Sequence, residues 1–155
     1  METQPLILCV DDDPRTLDIL TKILARLPVR QATTQDPRAA VELAGRLQPD
    51  LLILDLLMPG LGGWEVLELI RRGPHRPGLR VLVLSAHDNH AERLLAANIA
   101  RVDAFVGKPF DIAELARSVL ELLELPVGAA WPGPAPTQRQ ADGPAWRAPT
   151  GETHG

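Results

Sequence analysis

Asp11-Asp12-Asp13, Asp55, Ser85 and Lys108 are the residues of this 155-residue chain whose types combine into a chemistry. Each follows a short apolar run: 6–10 before the acids, 51–54 before Asp55, 81–84 before Ser85, and 104–107 before Lys108. Chance polar residues would not favour the same end of four such runs. Brought close, the carboxylates of Asp11, Asp12 and Asp55 repel one another, and a divalent cation relieves that repulsion. Few protein carboxylates, with room for water and phosphate oxygens, suit Mg²⁺ better than a calcium cage. Lys108, one of two lysines against fourteen arginines, adds a compact positive charge that can hold an anion. A carboxylate nucleophile, a metal and a point cation are the parts needed for phosphoryl transfer to aspartate, which is mostly positioning and charge neutralisation.

The apolar runs must be the elements that position these groups. Leu6-Ile7-Leu8-Cys9-Val10, Leu51-Leu52-Ile53-Leu54 and Val81-Leu82-Val83-Leu84 lack polar alternation, as do strands covered on both faces of a parallel sheet. Val29–Thr33 and Ala104–Gly107 are two weaker strand candidates. Helix-period stripes lie between them: Leu17, Leu20, Leu24 and Leu27; Ala40, Leu43, Ala44 and Leu47; Val66, Leu67 and Ile70; and a weaker set, Leu94, Leu95 and Ile99. Asp13-Pro14 and Asp36-Pro37 each supply an N-cap with a first-turn proline, and Asp111 with Glu114 resembles a capping box before Leu115, Val119 and Leu122. The order is β-α five times within about 120 residues, which right-handed crossovers fold into a doubly wound parallel sheet. The fold class is α/β, flavodoxin-like (βα)5, with strand order 2-1-3-4-5 and ligands bound at the carboxyl ends of the strands.

Composition bounds the rest. Hydrophobic residues are 45% of the chain and charged residues 23%, as in ordinary globular proteins. A net charge of −4 offers no general attraction to nucleic acid or an anionic membrane, and three Trp, two Phe and no Tyr disfavour base stacking. A single cysteine, Cys9, excludes an internal disulfide and a cysteine-rich zinc site, and reads as core. No apolar run approaches a membrane span and Met1–Pro5 lacks a basic signal start, so the expected location is the cytoplasm. Residues 126–155 contain six Pro and five Gly, above the roughly 25–30% that suggests disorder. The expected organisation is a domain over 1–125 and a flexible tail over 126–155. Trp131 and Trp146 within that tail are read as part of an inert linker rather than docking anchors.

Residues 6–125 resemble a two-component response-regulator receiver domain. The motifs that carry the resemblance are Asp11-Asp12, Asp55-Leu56-Leu57-Met58-Pro59-Gly60, Ser85-Ala86 and Phe105-Val106-Gly107-Lys108-Pro109-Phe110, in the family's order and spacing. The resemblance implies that Asp55 is the phosphoacceptor, taking its phosphoryl group from a sensor histidine kinase or a histidine phosphotransfer protein. It implies that Asp12, Asp55 and the backbone carbonyl of Leu57 bind Mg²⁺, with Asp11 acting through water. Lys108 is implied to pair with the phosphoryl oxygens, Ser85 to hydrogen-bond the phosphoryl group, and Phe105 to turn inward as the switch. The Lys108–Pro109 bond is implied to be cis. The resemblance further implies a signalling switch that catalyses only its own phosphorylation and dephosphorylation. Its output would be binding of a downstream target protein, with a weak homodimer, and without direct nucleic-acid or membrane binding.

Two positions depart from the family's pattern. Leu57 is apolar where the family is often polar, and with His87 it borders the opening through which water attacks, so both are expected to modulate phosphoryl lifetime. Arg101 stands where the family usually has Gly before the fifth strand, which puts the fourth helix and its neighbouring signalling face in question. His87 and His90 are read as loop histidines, Trp64 as packing, and Arg71, Arg72, Arg76 and Arg80 as a solvated face. Three rival readings remain beside the stand-alone switch. One is the N-terminal receiver of a longer regulator, and another a phosphorylation-independent interaction module. The third is an aspartyl-phosphate-forming phosphatase, which would want an acid where Leu57 stands.

Overall fold

The computed structural model describes residues 3–56, 58, 60–85 and 102–126, and the backbone of 145–147. Its strands are β1 (Leu6–Val10), β2 (Arg30–Thr34), β3 (Leu51–Asp55), β4 (Arg80–Ser85), β5 (Ala104–Gly107) and β6 (Ala145–Arg147). Its described helices are α1 (Pro14–Leu24), α2 (Pro37–Leu47), α3 (Gly63–Arg72) and α4 (Ile112–Leu122), the last being the fifth helix of the sequence pattern. The sheet order is β2-β1-β3-β4-β5-β6, and the first five strands are parallel. The 2-1-3-4-5 order expected from the β-α alternation is therefore present. The pattern read at Leu94, Leu95 and Ile99, with His87, His90 and Arg101, lies outside the described residues, as do Leu57 and Pro59.

β1, β3 and β4 are nearly continuous apolar runs because both faces of the sheet are covered. Alternation splits them between two cores. Ile7, Cys9, Leu51, Ile53, Leu82 and Leu84 face α1 and α4, where they meet Leu20, Leu24, Leu115 and Val119. Leu8, Val10, Leu52, Leu54, Val81, Val83 and Phe105 face α2 and α3, where they meet Ala40, Ala44, Val66, Leu67 and Ile70. β2 is an edge strand and its side chains are half-buried or exposed, which explains why its apolar signal was weak and its start one residue later than expected.

Helix starts follow their caps. The Asp13 carboxylate accepts from the Arg15 amide at 2.9 Å, Asp36 from Arg38 at 2.9 Å, and Asp111 from Glu114 at 2.9 Å. Helix ends are less regular. α1 stops at Leu24, so Leu27 reaches the core from the turn beyond it. Leu47, expected inward, is exposed, because α2 ends there and Gln48 turns into the left-handed region.

The amino ends of the strands are tied down by two aspartates. Asp50 Oδ2 accepts from the Leu6 amide at 2.8 Å, and Asp103 Oδ2 from the Val81 amide at 2.8 Å. Arg76 reaches Asp50 at 3.4 Å and Arg80 reaches Asp103 at 3.5 Å. Arg72 pairs with Glu68 one helical turn away. Arg72, Arg76 and Arg80, from the stretch read as a solvated face, are thus each paired with an acid, the last two with the acids that hold strand register.

Within the segment read as a tail, Ala145–Arg147 is a strand, pairing antiparallel with β5 in the register Ala104↔Arg147, Phe105↔Trp146 and Val106↔Ala145. β5 would otherwise present a row of unpaired amides and carbonyls, which any extended segment can satisfy. The flanking Pro144 and Pro149 bound a run in which every residue can donate to a ladder.

Cys9 is fully buried on β1, and burial, with a lesser effect of the Asp11 carboxylate, pushes its thiol from an ordinary 9.0 up to about 12. In the unfolded chain the thiol ionises above about pH 9, whereas in the folded chain it stays protonated until about 12. Its contribution to stability is therefore full below pH 9 and lost as pH rises through that window. Chemical denaturation at pH 8 and pH 11 should show a larger loss for the parent than for Cys9→Val, and a thiol reagent at pH 8 should label Cys9 only once denaturant is added.

Candidate functional site

Four backbone stretches converge at the carboxyl end of the sheet. β1 runs into Asp11 and Asp12, β3 ends in Asp55, β4 ends in Ser85, and β5 runs into Lys108. The strand ladder sets their spacing, since β1 and β3 are adjacent, as are β4 and β5. Lateral bonds continue just past the strand ends: the Asp11 amide donates to Thr34 O at 3.3 Å, Leu56 to Leu84 O at 3.1 Å, and Lys108 to Ser85 O at 2.7 Å. The chain is thus held in the last positions before the functional side chains.

Asp11, Asp12 and Asp55 each offer a carboxylate oxygen, and these atoms all lie within 4.8 Å of one another. Asp11 and Asp55 are buried, and Asp12 stands half-buried at the mouth. Lys108 Nζ lies 2.7 Å from Asp11 Oδ2 and 3.6 Å from Asp55 Oδ2. Three carboxylates and one ammonium leave the cluster two positive charges short of neutrality. A hard divalent cation with oxygen ligands fits that deficit and that donor set. The other oxygen of Asp11 accepts from the Asp13 amide at 2.9 Å, which fixes the carboxylate's orientation.

Asp13 is not part of the cluster's charge. Its side chain caps α1, and the Arg15 guanidinium and amide beside it hold its carboxyl below the usual carboxylate range. Ser85 is buried at the end of β4, and Phe105 is fully buried on the α2/α3 side of the sheet. The Lys108–Pro109 bond is cis, as the resemblance implied. Trp64 is half-buried and packs against the α2/α3-side core. Leu57 and His87, expected to border the opening, are outside the described residues.

Gly63 is a positioning residue that the sequence reading missed. Its amide donates to Leu56 O at 3.2 Å, and a Cβ at this position would overlap the carbonyl oxygen of Asp55 and stand 2.6 Å from Leu56 Cα. The first residue of α3 is therefore pressed against the backbone of the cluster's central aspartate. The sequence signal was the Gly62-Gly63 pair opening an apolar-striped helix, readable only as a turn without the contact. Gly63→Ala should cost about 1–3 kcal/mol by overpacking. Thermal unfolding checks the loss, which Gly62→Ala should not share, because its Cβ would meet only the Glu65 side chain, at 3.9 Å.

Comparison with known proteins agrees with this geometry. The response regulator receiver domain family matches residues 7–120. The transcriptional activator protein IrlR of Burkholderia pseudomallei is 36% identical over 117 residues, covering 76% of this chain and 49% of its own length. The probable transcriptional regulatory protein TcrX of Mycobacterium tuberculosis is 35% identical over 121 residues, covering 77% of this chain and 50% of its own. The chain thus spans about half the length of these curated relatives. Among solved structures, the signal receiver domain of an HD domain-containing protein from Pseudomonas fluorescens superposes with a TM-score of 0.71 at 25% identity, covering 79% of this chain and 96% of that one. The receiver domain of a Pseudomonas aeruginosa sensor histidine kinase, solved with magnesium coordinated in its active-site cleft, gives 0.69 at 26% identity, covering 79% and 99%. With acids at the ends of β1 and β3, a hydroxyl at the end of β4 and a lysine after β5, the chain belongs to the receiver domains of two-component response regulators.

Proposed function

We propose that Asp55 accepts a phosphoryl group from the phosphohistidine of a sensor histidine kinase or histidine phosphotransfer protein, and that the product signals by binding a target protein. The observation that carries the reading is the lysine set among three carboxylates: Lys108 Nζ is 2.7 Å from Asp11 and 3.6 Å from Asp55. A carboxylate oxygen of Asp55 would form the new P–O bond while the P–N bond breaks and the imidazole nitrogen keeps the electron pair. Asp12 and Asp55, with the backbone carbonyl of Leu57, would hold Mg²⁺ directly, and Asp11 would act on it through water. Bound there, the ion would neutralise charge on the phosphoryl oxygens.

The chain's own residues do the rest. Lys108, at 3.6 Å too far from Asp55 for a close hydrogen bond, is placed to engage an oxygen of a phosphoryl group attached there. Ser85, opposite Gly107 in the β4–β5 ladder, would donate to the same group. Phe105, two residues earlier on β5, would report the change as the switch residue. Leu57 and His87 would limit access of water and so set the lifetime. The activity is self-modification rather than turnover. Direct nucleic-acid or membrane binding is not part of this reading, and the protein is placed in the cytoplasm. Among the described residues, no helix is long and apolar enough to cross a membrane.

A second reading is favoured by one observation: coverage of only 49–50% of the first relatives, which are transcriptional regulators, fits a receiver that serves a longer protein's output domain. Phosphoacceptor chemistry is common to both.

Intact mass after incubation with acetyl phosphate and Mg²⁺ should show one added phosphoryl group on the parent and none on Asp55→Asn. Chelation of the metal should abolish the gain, and Lys108→Met should slow it by about 10²-fold or more. Sugar phosphates should not be hydrolysed. Leu57→Asn should lose its phosphoryl group faster than the parent, and an unchanged lifetime would remove Leu57 from the account.

A further inference from the structure

The two edges of the parallel sheet differ. β2 carries Arg30, Gln31, Thr33 and Thr34, polar residues that discourage edge-to-edge pairing. β5 is Ala104-Phe105-Val106-Gly107, with no charge of its own, and it is this edge that β6 covers. We propose that the chain's own segment Ala145–Arg147 is an intramolecular cap on the β5 edge, withholding that edge from an extended segment of any other chain.

The bonding pattern follows from alternation. The Lys108 amide donates to Ser85 O at 2.7 Å, on the β4 side, in step with the register Ser85↔Gly107. By alternation the Val106 amide faces β4 as well, and the Phe105 amide points the other way, toward β6. With the register Phe105↔Trp146, that is the pair that exchanges amide–carbonyl bonds, and Ala104↔Arg147 and Val106↔Ala145 flank it without doing so. The cap thus satisfies the backbone groups of β5 that β4 leaves unpaired. Reach is no obstacle, since residues 127–144 can extend to roughly 60 Å. Pro144 and Pro149 cannot donate to the ladder and keep the cap short, as suits a strand that is to be displaced. β5 is also the strand that leads into Lys108, so the capped edge belongs to the element joining the site to the sheet's border.

The test is amide hydrogen exchange, read by NMR on the full chain. In Trp146→Pro, which removes the donor of the bonded pair, the Phe105 amide should exchange at least about tenfold faster than in the parent. The Leu8 and Ile53 amides should be unchanged, showing that both cores remain folded. Trp146→Val, which keeps the donor, should retain the parent's protection. Equal exchange of Phe105 in the parent and the proline variant would overturn the proposal. So would protection that grows with protein concentration, because the edge would then be paired with a second copy.

Discussion

Lys108 holds together charges that would otherwise oppose the fold. Asp11 and Asp55 end neighbouring strands and are almost wholly buried, with side-chain exposures of 1% and 5%. Two carboxylates in such a place repel each other and lose their hydration, a cost that burial makes large unless cations answer it. The ammonium of Lys108 contacts both and comes from β5, which does not touch β1 or β3 in the sheet. Closing that triangle requires all four inner strands to end at one level. The site is therefore both a product of the sheet's register and a constraint on it.

Charge at the two ends of the sheet is handled in opposite ways. At the amino ends, Asp50 and Asp103 are each bonded to a strand amide and to an arginine, so they act as fixed backbone ties. At the carboxyl ends, one lysine stands among three carboxylates, and the cluster keeps a net negative charge. Asp13, one residue along, is neutralised by Arg15 and serves only α1. The same residue type thus does structural work where a permanent partner is supplied, and is set for chemistry where it is not.

Much of this was legible in the sequence because the governing signals are local. Continuous apolar runs marked β1, β3 and β4, aspartate–proline pairs marked the starts of α1 and α2, and the acids, Ser85 and Lys108 stood directly after their strands. What was less legible depends on neighbours. β2 hides its apolar pattern because it lies at the edge, and Leu47 points outward because α2 stops. Arg76 and Arg80 are spent on acids far away in sequence. Gly63 is required by the close approach of α3 to the Asp55 backbone, a contact between segments that no periodicity encodes. β6 was hidden for the same reason: a proline- and glycine-rich segment gives no strand signal, and only an open edge beside it makes pairing favourable.

The central claim is that, of three clustered aspartates, only the one at the end of β3 takes the phosphoryl group. Borohydride reduction of the acylphosphate, followed by peptide mass mapping, reads the modified position directly, because a phosphorylated aspartate is converted to homoserine. Homoserine at position 55 alone is the result this account predicts. Conversion at position 11 or 12, or at none of the three after the protein has been exposed to a phosphoryl donor and Mg²⁺, would contradict it.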